Sequence, residues 1–377
     1  MKSAVVAGHI CLDVIPTIDR PFELLPGRLY EVGGPTMATG GAVSNTGLAL
    51  HILGIPTMLM GKIGDDSFGK AILNIVAQIA PGLEKNFIVD AKVETSYSVV
   101  INIPGTDRIF LHNPGANANF VSRDINYETL AQAALFHFGY PCFMAKSYAN
   151  EGAELIDMYQ RAKACGVTTS LDPGMPDPGG DAGKVNWKKV LQDLLPYVDV
   201  FLPSADELLF MLDRDNFGKG DNISVQEMER LSAQLLDMGT AVAGIKLGTR
   251  GLYIHSADEE RIAEMGKGKP EKPELWANQQ FWFPIFKEKE FKGATGAGDT
   301  TIAGFLAAML KGQSLYQAGL FACAVGACNV EAADALGGIL DWEETNKRIE
   351  AGWEKLPVRN VEDTSWHLQD GVWEKHR

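Results

Sequence analysis

Between residues 134 and 248 the chain reads ALFHFG (134–139), VTTSLDP (167–173), VDVFLP (198–203) and AVAGIKLG (241–248), four short apolar runs separated by segments of helical length. Each run ends on Gly or Pro, as a buried strand feeding a loop does. The intervening text predicts helices over 150–165, 186–196, near 205–213 and over 225–238. Apolar strands alternating with helices are the sequence form of a parallel sheet covered on both faces. The expected fold class is therefore α/β, a doubly wound, mostly parallel sheet flanked by helices.

Toward the N-terminus, Ser3 to Ala7 form a short apolar run ending in Gly8, which suits a first strand. Residues 16–35 are broken by four prolines and three glycines and read as loop or edge β. GGAVSNTGLALHILG (40–54) has the spacing of a helix entered from a tight loop, and PTMLMGKIGDDSFG (56–69) reads as strand, turn and helix start. A second β excursion follows, with SYSVVINI and RIFLH flanking PGTD at 104–107, a hairpin turn. The excursions 14–36 and 95–112 are expected to meet in space as a small β lid on a single domain spanning 1–377. Residues 256–280, rich in charge, Gly and Pro, look like an insertion or a mobile loop. The C-terminal extension 340–377 is charged, with Trp342, Trp353, Trp366 and Trp373 expected to dock it.

With 34 Lys and Arg against 48 Asp and Glu, the formal charge of −14 argues against a broad face for nucleic acid or anionic lipid. Five cysteines without a C-x-x-C pair fit reduced thiols, hence a cytoplasmic location. The apolar runs are too short to cross a bilayer, and the N-terminus reads as a strand rather than a signal peptide.

A second stretch carries the chemistry: GATGAGDTTIAGFLAAML, residues 293–310. It is neither G-x-x-x-x-G-K-[ST] nor G-x-G-x-x-G. If Gly296, Ala297 and Gly298 form the first helical turn, their N–H groups converge on a developing phosphoryl charge, an anion hole. A carboxylate there costs phosphate affinity unless it takes a proton from an attacking hydroxyl. Asp299 therefore reads as a general base in phosphoryl transfer, or more plainly as the acidic cap of a glycine loop.

At these residues the chain resembles the ribokinase-like (PfkB) carbohydrate kinases. TGAGDT before a helix is similar to the family's second signature, and GGAVSNTGLALHILG with GKIGDDSFG to its first, in the right order from Gly8 to about Ala335. The resemblance implies an ATP-dependent kinase with a ribokinase-like fold, Asp299 as base and Gly296 to Gly298 as anion hole. It places acceptor hydroxyls near Asp13, Gly40, Gly41 and Asn45, although Asp13 also suits a turn or cap and Asn45 an ordinary helix position. LPSADELLFML is similar to the family's N-x-x-E segment, which makes Glu207 the acid arranging Mg²⁺ through water, or else a surface-helix residue; Ser204 replaces the Asn. GIKLGTRGLYI resembles the nucleotide-lining strand and turn, so Lys246, Gly248 and Gly251 become ATP-binding candidates, with an exposed strand position the alternative for Lys246. Asn329 falls on the helix that borders adenine, unless it faces solvent. Many members have an Asp where this chain has Gly293, at a monovalent-cation site, so potassium activation lies outside what the resemblance carries. Lids in this family often pair, which implies a homodimer.

Asp13 and Asn45 suit vicinal hydroxyls, so the expected acceptor is a sugar or sugar acid. The alternatives are a nucleoside, with Phe110 and Tyr97 as an aromatic slot, and a non-catalytic sugar- or nucleotide-sensing protein on the same fold. VVAGHICLD, at the first strand, lacks the G-x-G-x-x-G fingerprint and argues against an NAD-dependent dehydrogenase.

Overall fold

The computed structural model describes residues 2–105, 108–358, 361 and 365–375. In chain order the strands are β1 Ala4–Gly8, β2 Cys11–Pro16, β3 Pro35–Gly40, β4 Thr57–Met60, β5 Lys62–Gly64, β6 Ile88–Asp90, β7 Tyr97–Ile101 and β8 Ile109–Asn113. They continue with β9 Leu135–Gly139, β10 Thr168–Asp172, β11 Val200–Phe201, β12 Val242–Lys246, β13 Leu252–Ser256, β14 Gln280–Phe283, β15 Trp366–Gln369 and β16 Val372–Lys375. The central sheet runs β15-β16-β14-β13-β12-β11-β10-β9-β1-β4. Its half from β4 to β12 is parallel and the remainder antiparallel.

The apolar runs are continuous because both faces are buried, and alternate residues go to opposite cores. Leu135, Val200 and Val242 pack with the helices Ala42–Ile52, Ala297–Leu310 and Leu315–Asn329 on one side. Phe136, Phe201 and Ala243 pack with Ala145–Ala164, Trp187–Leu194, Ala205–Leu212 and Val225–Asp237 on the other. Each fully buried Phe, Val or Leu in these layers contributes about 1.5–3 kcal/mol. The helix expected from residue 150 begins earlier, at Ala145, and is interrupted by non-helical backbone at Ala149–Gly152.

The two β excursions share a separate sheet of order β3-β2-β7-β8. Among the described residues its one parallel pairing, with Leu12 opposite Tyr97, joins the two segments. This sheet starts at Cys11 and extends to Gly40 and Asn113, beyond the expected limits, and no strand lies between Thr17 and Gly34. Thr106 and Asp107 of the expected PGTD turn lie outside the described residues.

Residues 256–280 fold back onto the body rather than standing free: Ile262, Met265 and Trp276 are buried, and Trp276 donates its indole N–H to Gln313 O at 3.0 Å. The tail does more than dock. Trp342 stacks near Phe321 and Trp353 near Phe286, with ring centroids 4.2 and 4.8 Å apart. Trp366 and Trp373 lie on β15 and β16, a hairpin that extends the central sheet. Among the described residues no helix is long and apolar enough to cross a membrane.

Candidate active site

In an open parallel sheet the loops leaving the carboxyl ends of the strands surround a crevice, because the helices return along the faces. Here those ends deliver His9 after β1, Tyr140 after β9, Asp172 closing β10, Ser204 beyond β11 and Lys246 closing β12. All five line one cleft of about 1030 Å³, roofed by Asp13, Ser98 and His112 of the lid sheet. That is room for two small ligands side by side.

The helix Ala297–Leu310 begins in the cleft. Gly296 caps it in the left-handed region at φ 75°, open to glycine without strain, and its carbonyl accepts the first helical bond from Thr300 N–H at 2.8 Å. The N–H groups of Gly298 and Asp299 therefore have no acceptor within the helix. Ala297 N–H, expected in the anion hole, turns back to Ala294 O at 3.3 Å. A Cβ on Gly298 would stand 3.4 Å from Lys246 Nζ, so the lysine ammonium lies against the first turn.

Asp299 is buried in that turn and held on three sides. Tyr140 donates its phenol to both carboxylate oxygens at 2.8 Å, Asn45 Nδ2 donates to Oδ2 at 3.0 Å, and Thr46 Oγ1 to Oδ1 at 3.4 Å. Burial pushes the Asp299 carboxyl above its ordinary range, while the bonds from Tyr140 and Asn45, with the charge of Lys246, pull it back. Burial also keeps the Tyr140 phenol firmly protonated. Tyr140 sits at φ 65°, ψ 45°, a backbone conformation a bulky residue rarely adopts. Its N–H donates to Asp172 O at 2.9 Å, which fixes this turn against β10.

Lys246 is largely buried rather than an exposed strand residue, 3.4 Å from Asp172 Oδ2. Burial works against its charge, but Asp172, Glu207 and Asp299 together hold it above the usual lysine range. Asp172 is raised, chiefly by burial, with Lys246 opposing. Glu207 caps its own helix: Oε2 accepts Ser204 N–H at 2.6 Å, and Ser204 Oγ accepts Glu207 N–H at 3.3 Å. Serine in place of the expected Asn thus completes a capping box, and Glu207 still lines the cleft.

At the lid, Asp13 accepts from Cys11 Sγ at 3.4 Å, and burial raises its carboxyl. A Cβ on Gly40 would come within 2.3 Å of Asp13 Oδ2, so a larger residue there would displace the Asp13 carboxylate. Gly41 then caps the helix that carries Asn45 and Thr46. Gly248 and Gly251 line the cleft, the latter's carbonyl accepting Leu247 N–H at 2.8 Å. Phe110 lines the cleft too, whereas Tyr97 packs edge-on against Phe68 with centroids 5.3 Å apart. Gly293 brings no carboxylate of its own; the atoms closest to its side-chain position are the carbonyl oxygens of Ala333 and Ala332, at 3.6 and 3.7 Å.

Asn329 is the expected site residue that the structure leaves outside the cleft. It neither lines it nor faces solvent: fully buried, it donates to Ala335 O at 2.7 Å, and Ala335 packs against Gly296. Its neighbours Ala327 and Val330 line the cleft instead, because the helix turns Asn329 inward. Thr46, Tyr140 and Asp172 went unforeseen. The signal for two of them is position, a polar residue at the carboxyl end of an apolar run, and for Thr46 adjacency to Asn45.

Comparison with known proteins gives the family and the fold. The family model described as pfkB family carbohydrate kinase matches residues 1–341. The chain is 24% identical over 292 residues to an uncharacterized sugar kinase of Archaeoglobus fulgidus, covering 78% of this chain and 98% of the relative. It is 23% identical over 313 residues to fructokinase-1 of Zea mays, covering 82% and 84%. The structure of Arabidopsis thaliana ribokinase complexed with ribose and ATP superposes with a TM-score of 0.69 at 20% identity, over 92% of this chain and 98% of that one, and so shares its fold.

Proposed function

The chain belongs to the pfkB family of carbohydrate kinases, and from that premise we propose that it transfers the γ-phosphoryl group of ATP to a hydroxyl of a sugar or sugar acid, with Asp299 as general base. The observation that carries this is the Asp299 carboxylate, buried at a helix N-terminus and raised by burial, between the lid residues that suit hydroxyls and the lysine that suits phosphate.

The acceptor enters under the lid, where Asp13 takes hydrogen bonds from its hydroxyls. The reacting hydroxyl replaces the Tyr140 phenol on one Asp299 oxygen, while Asn45 holds the other. Asp299 takes the proton as the oxygen attacks the phosphorus. Lys246 and the Gly298 N–H balance charge on the transferring group and the departing ADP oxygen. Carboxylate oxygens are the donors Mg²⁺ prefers, and Glu207 and Asp172 would hold it through water. When bound with ATP it supplies the positive charge that one lysine among several acids lacks.

A nucleoside acceptor is the second reading. It is favoured by a ring cluster at the lid, where His9 lies 5.1 Å from His112 and 5.6 Å from Phe143, centroid to centroid. The test is a coupled ADP-release screen over sugars, sugar acids and nucleosides, with ATP and with or without Mg²⁺. Mg²⁺-dependent turnover on sugars or sugar acids is expected. Turnover on nucleosides alone would replace the acceptor, and silence throughout would favour a sensing protein and remove the role given to Asp299.

A further inference from the structure

We propose that the joint between lid and body carries a binding site for a soft divalent cation, Zn²⁺, formed by His9, Cys11 and His112. The three come from different places: His9 from the turn after β1, Cys11 from the start of β2, and His112 from β8 at the outer edge of the lid. Sheet register brings them together. His112 is opposite Ser98, Ser98 is opposite Asp13, and Cys11 lies two residues before Asp13, so all four side chains share the lid face turned to the cleft.

The geometry is that of a ligand set. One ligand atom from each residue lies within 4.8 Å of the others. His9 Nε2 and His112 Nε2 are 3.3 Å apart. Two imidazole nitrogens at about 2.0–2.1 Å from a tetrahedral Zn²⁺ stand about 3.3–3.4 Å from one another, so this edge is already formed. Cys11 Sγ needs a shift on the order of 1 Å to reach its vertex, about 3.6 Å from each nitrogen. The fourth position opens toward Asp13, whose Oδ1 is 3.4 Å from Cys11 Sγ.

The surroundings suit the ion. Ser98 Oγ lies 3.0 Å from His112 Nδ1 and orients that ring, leaving Nε2 for the metal. His9 has its Nδ1 buried without a partner, and at Nε2 the bond to give up is the one to His112, the other ligand. Two nitrogens and a sulfur select Zn²⁺ over Mg²⁺, which prefers oxygen. Binding releases the Cys11 thiol proton, while the proton between the two imidazoles moves to His9 Nδ1, which leaves both Nε2 atoms free to ligate. It also ties β8 to the turn after β1, a link between lid and body that the acceptor is not needed to make.

The experiment uses the full chain without a histidine tag, titrated first with Co²⁺ as a spectroscopic probe and then with Zn²⁺. One equivalent of Co²⁺ is expected to give a tetrahedral ligand-field spectrum with a thiolate-to-cobalt charge-transfer band, and Zn²⁺ to displace it. Zn²⁺ should also slow amide exchange in β8. Cys11→Ser should abolish the charge-transfer band, and either Cys11→Ser or His112→Gln should weaken Zn²⁺ binding by at least about 10- to 100-fold. Cys165→Ser, remote from the lid, should leave both unchanged. Circular dichroism identifies any variant that fails to fold; if Cys11→Ser does, His112→Gln decides. A parent protein without the band, a Cys11→Ser protein that keeps it, or a folded His112→Gln protein with parental affinity would overturn the site.

Discussion

Replacing Tyr140 by Phe removes one hydroxyl and leaves the ring packed between His9 and Phe143, whose centroids lie 6.0 and 5.6 Å from it. That hydroxyl donates to both oxygens of a buried carboxylate at 2.8 Å, a charge-assisted bond worth about 1.5–3 kcal/mol. The bond favours ionised Asp299, so its loss favours the protonated acid. Burial already raises this carboxyl, and the change acts in the same direction. A base active only when ionised gives an acid limb in the pH profile of kcat/KM. In Tyr140→Phe that limb should move to higher pH, its half-maximal proton concentration falling about 10- to 100-fold. Above the limb the variant should equal or exceed the parent, because the phenol no longer occupies the oxygen that the acceptor hydroxyl must reach. The assay is steady-state ADP release across pH for both proteins, with folding checked at each end. An acid limb in the same place, or a rate lowered equally at every pH, would refute the reasoning, since a merely structural tyrosine moves no limb.

Asp299→Asn should keep the fold and ATP affinity but lower kcat by about 10²- to 10⁴-fold, and a variant within a few-fold of the parent would remove the base assignment. Asp13→Ala should weaken acceptor binding by about 1–3 kcal/mol while sparing ATP; calorimetry that finds both ligands weakened equally would make Asp13 a structural residue instead. Asp199→Asn should lower stability by about 3–5 kcal/mol in urea unfolding, because the buried carboxylate accepts Lys163 at 2.8 Å and Arg261 at 2.9 Å and its loss strands both cations; an unchanged midpoint would contradict that. Leu29 and Leu111 leave 87% and 56% of their surface exposed on the lid, the face through which a homodimer is proposed, so Leu111→Glu should shift the mass in sedimentation toward the monomer.

The parallel half of the sheet was legible because its strands are buried on both faces, which leaves continuous apolar runs that few other contexts produce. The edge was not. β15 and β16 are four residues each, with Trp366 and Val372 buried and Leu368 exposed, and among the described residues they pair with β14 and each other, so their short pattern carries little beyond the tryptophans. In the site, glycines and the acid after them were readable because a helix N-terminus is written within a few consecutive residues. Tyr140 and Asp172 were not, since their meaning depends on which strand lies beside which, and β9 and β10 meet only once the chain has crossed over. Asn329 shows the converse: its helix was identified, but the residue faces inward, and a phase difference of one position passes the lining role to Ala327 and Val330.

The placement of an acid at the start of the helix Ala297–Leu310 is intelligible as a balance of opposed terms. Removal from water disfavours the carboxylate, and Glu207 in the same cleft disfavours it further. With these neighbours alone the carboxyl would be raised further, and a protonated acid takes no proton from an alcohol. The helix N-terminus favours the anion by about 0.3–1 kcal/mol, up to about 2 where partly buried, and Lys246 with the donors Tyr140 and Asn45 adds to that. Excess in this direction would be equally damaging, because a carboxylate stabilised as in an exposed ion pair is too weak a base to deprotonate an alcohol. The site therefore works only if burial and compensation both act on the same two oxygens. Under the proposed mechanism Tyr140 alone among the compensating groups yields its place to the acceptor hydroxyl, so the donor lost from the carboxylate is replaced by the one whose proton is to be taken.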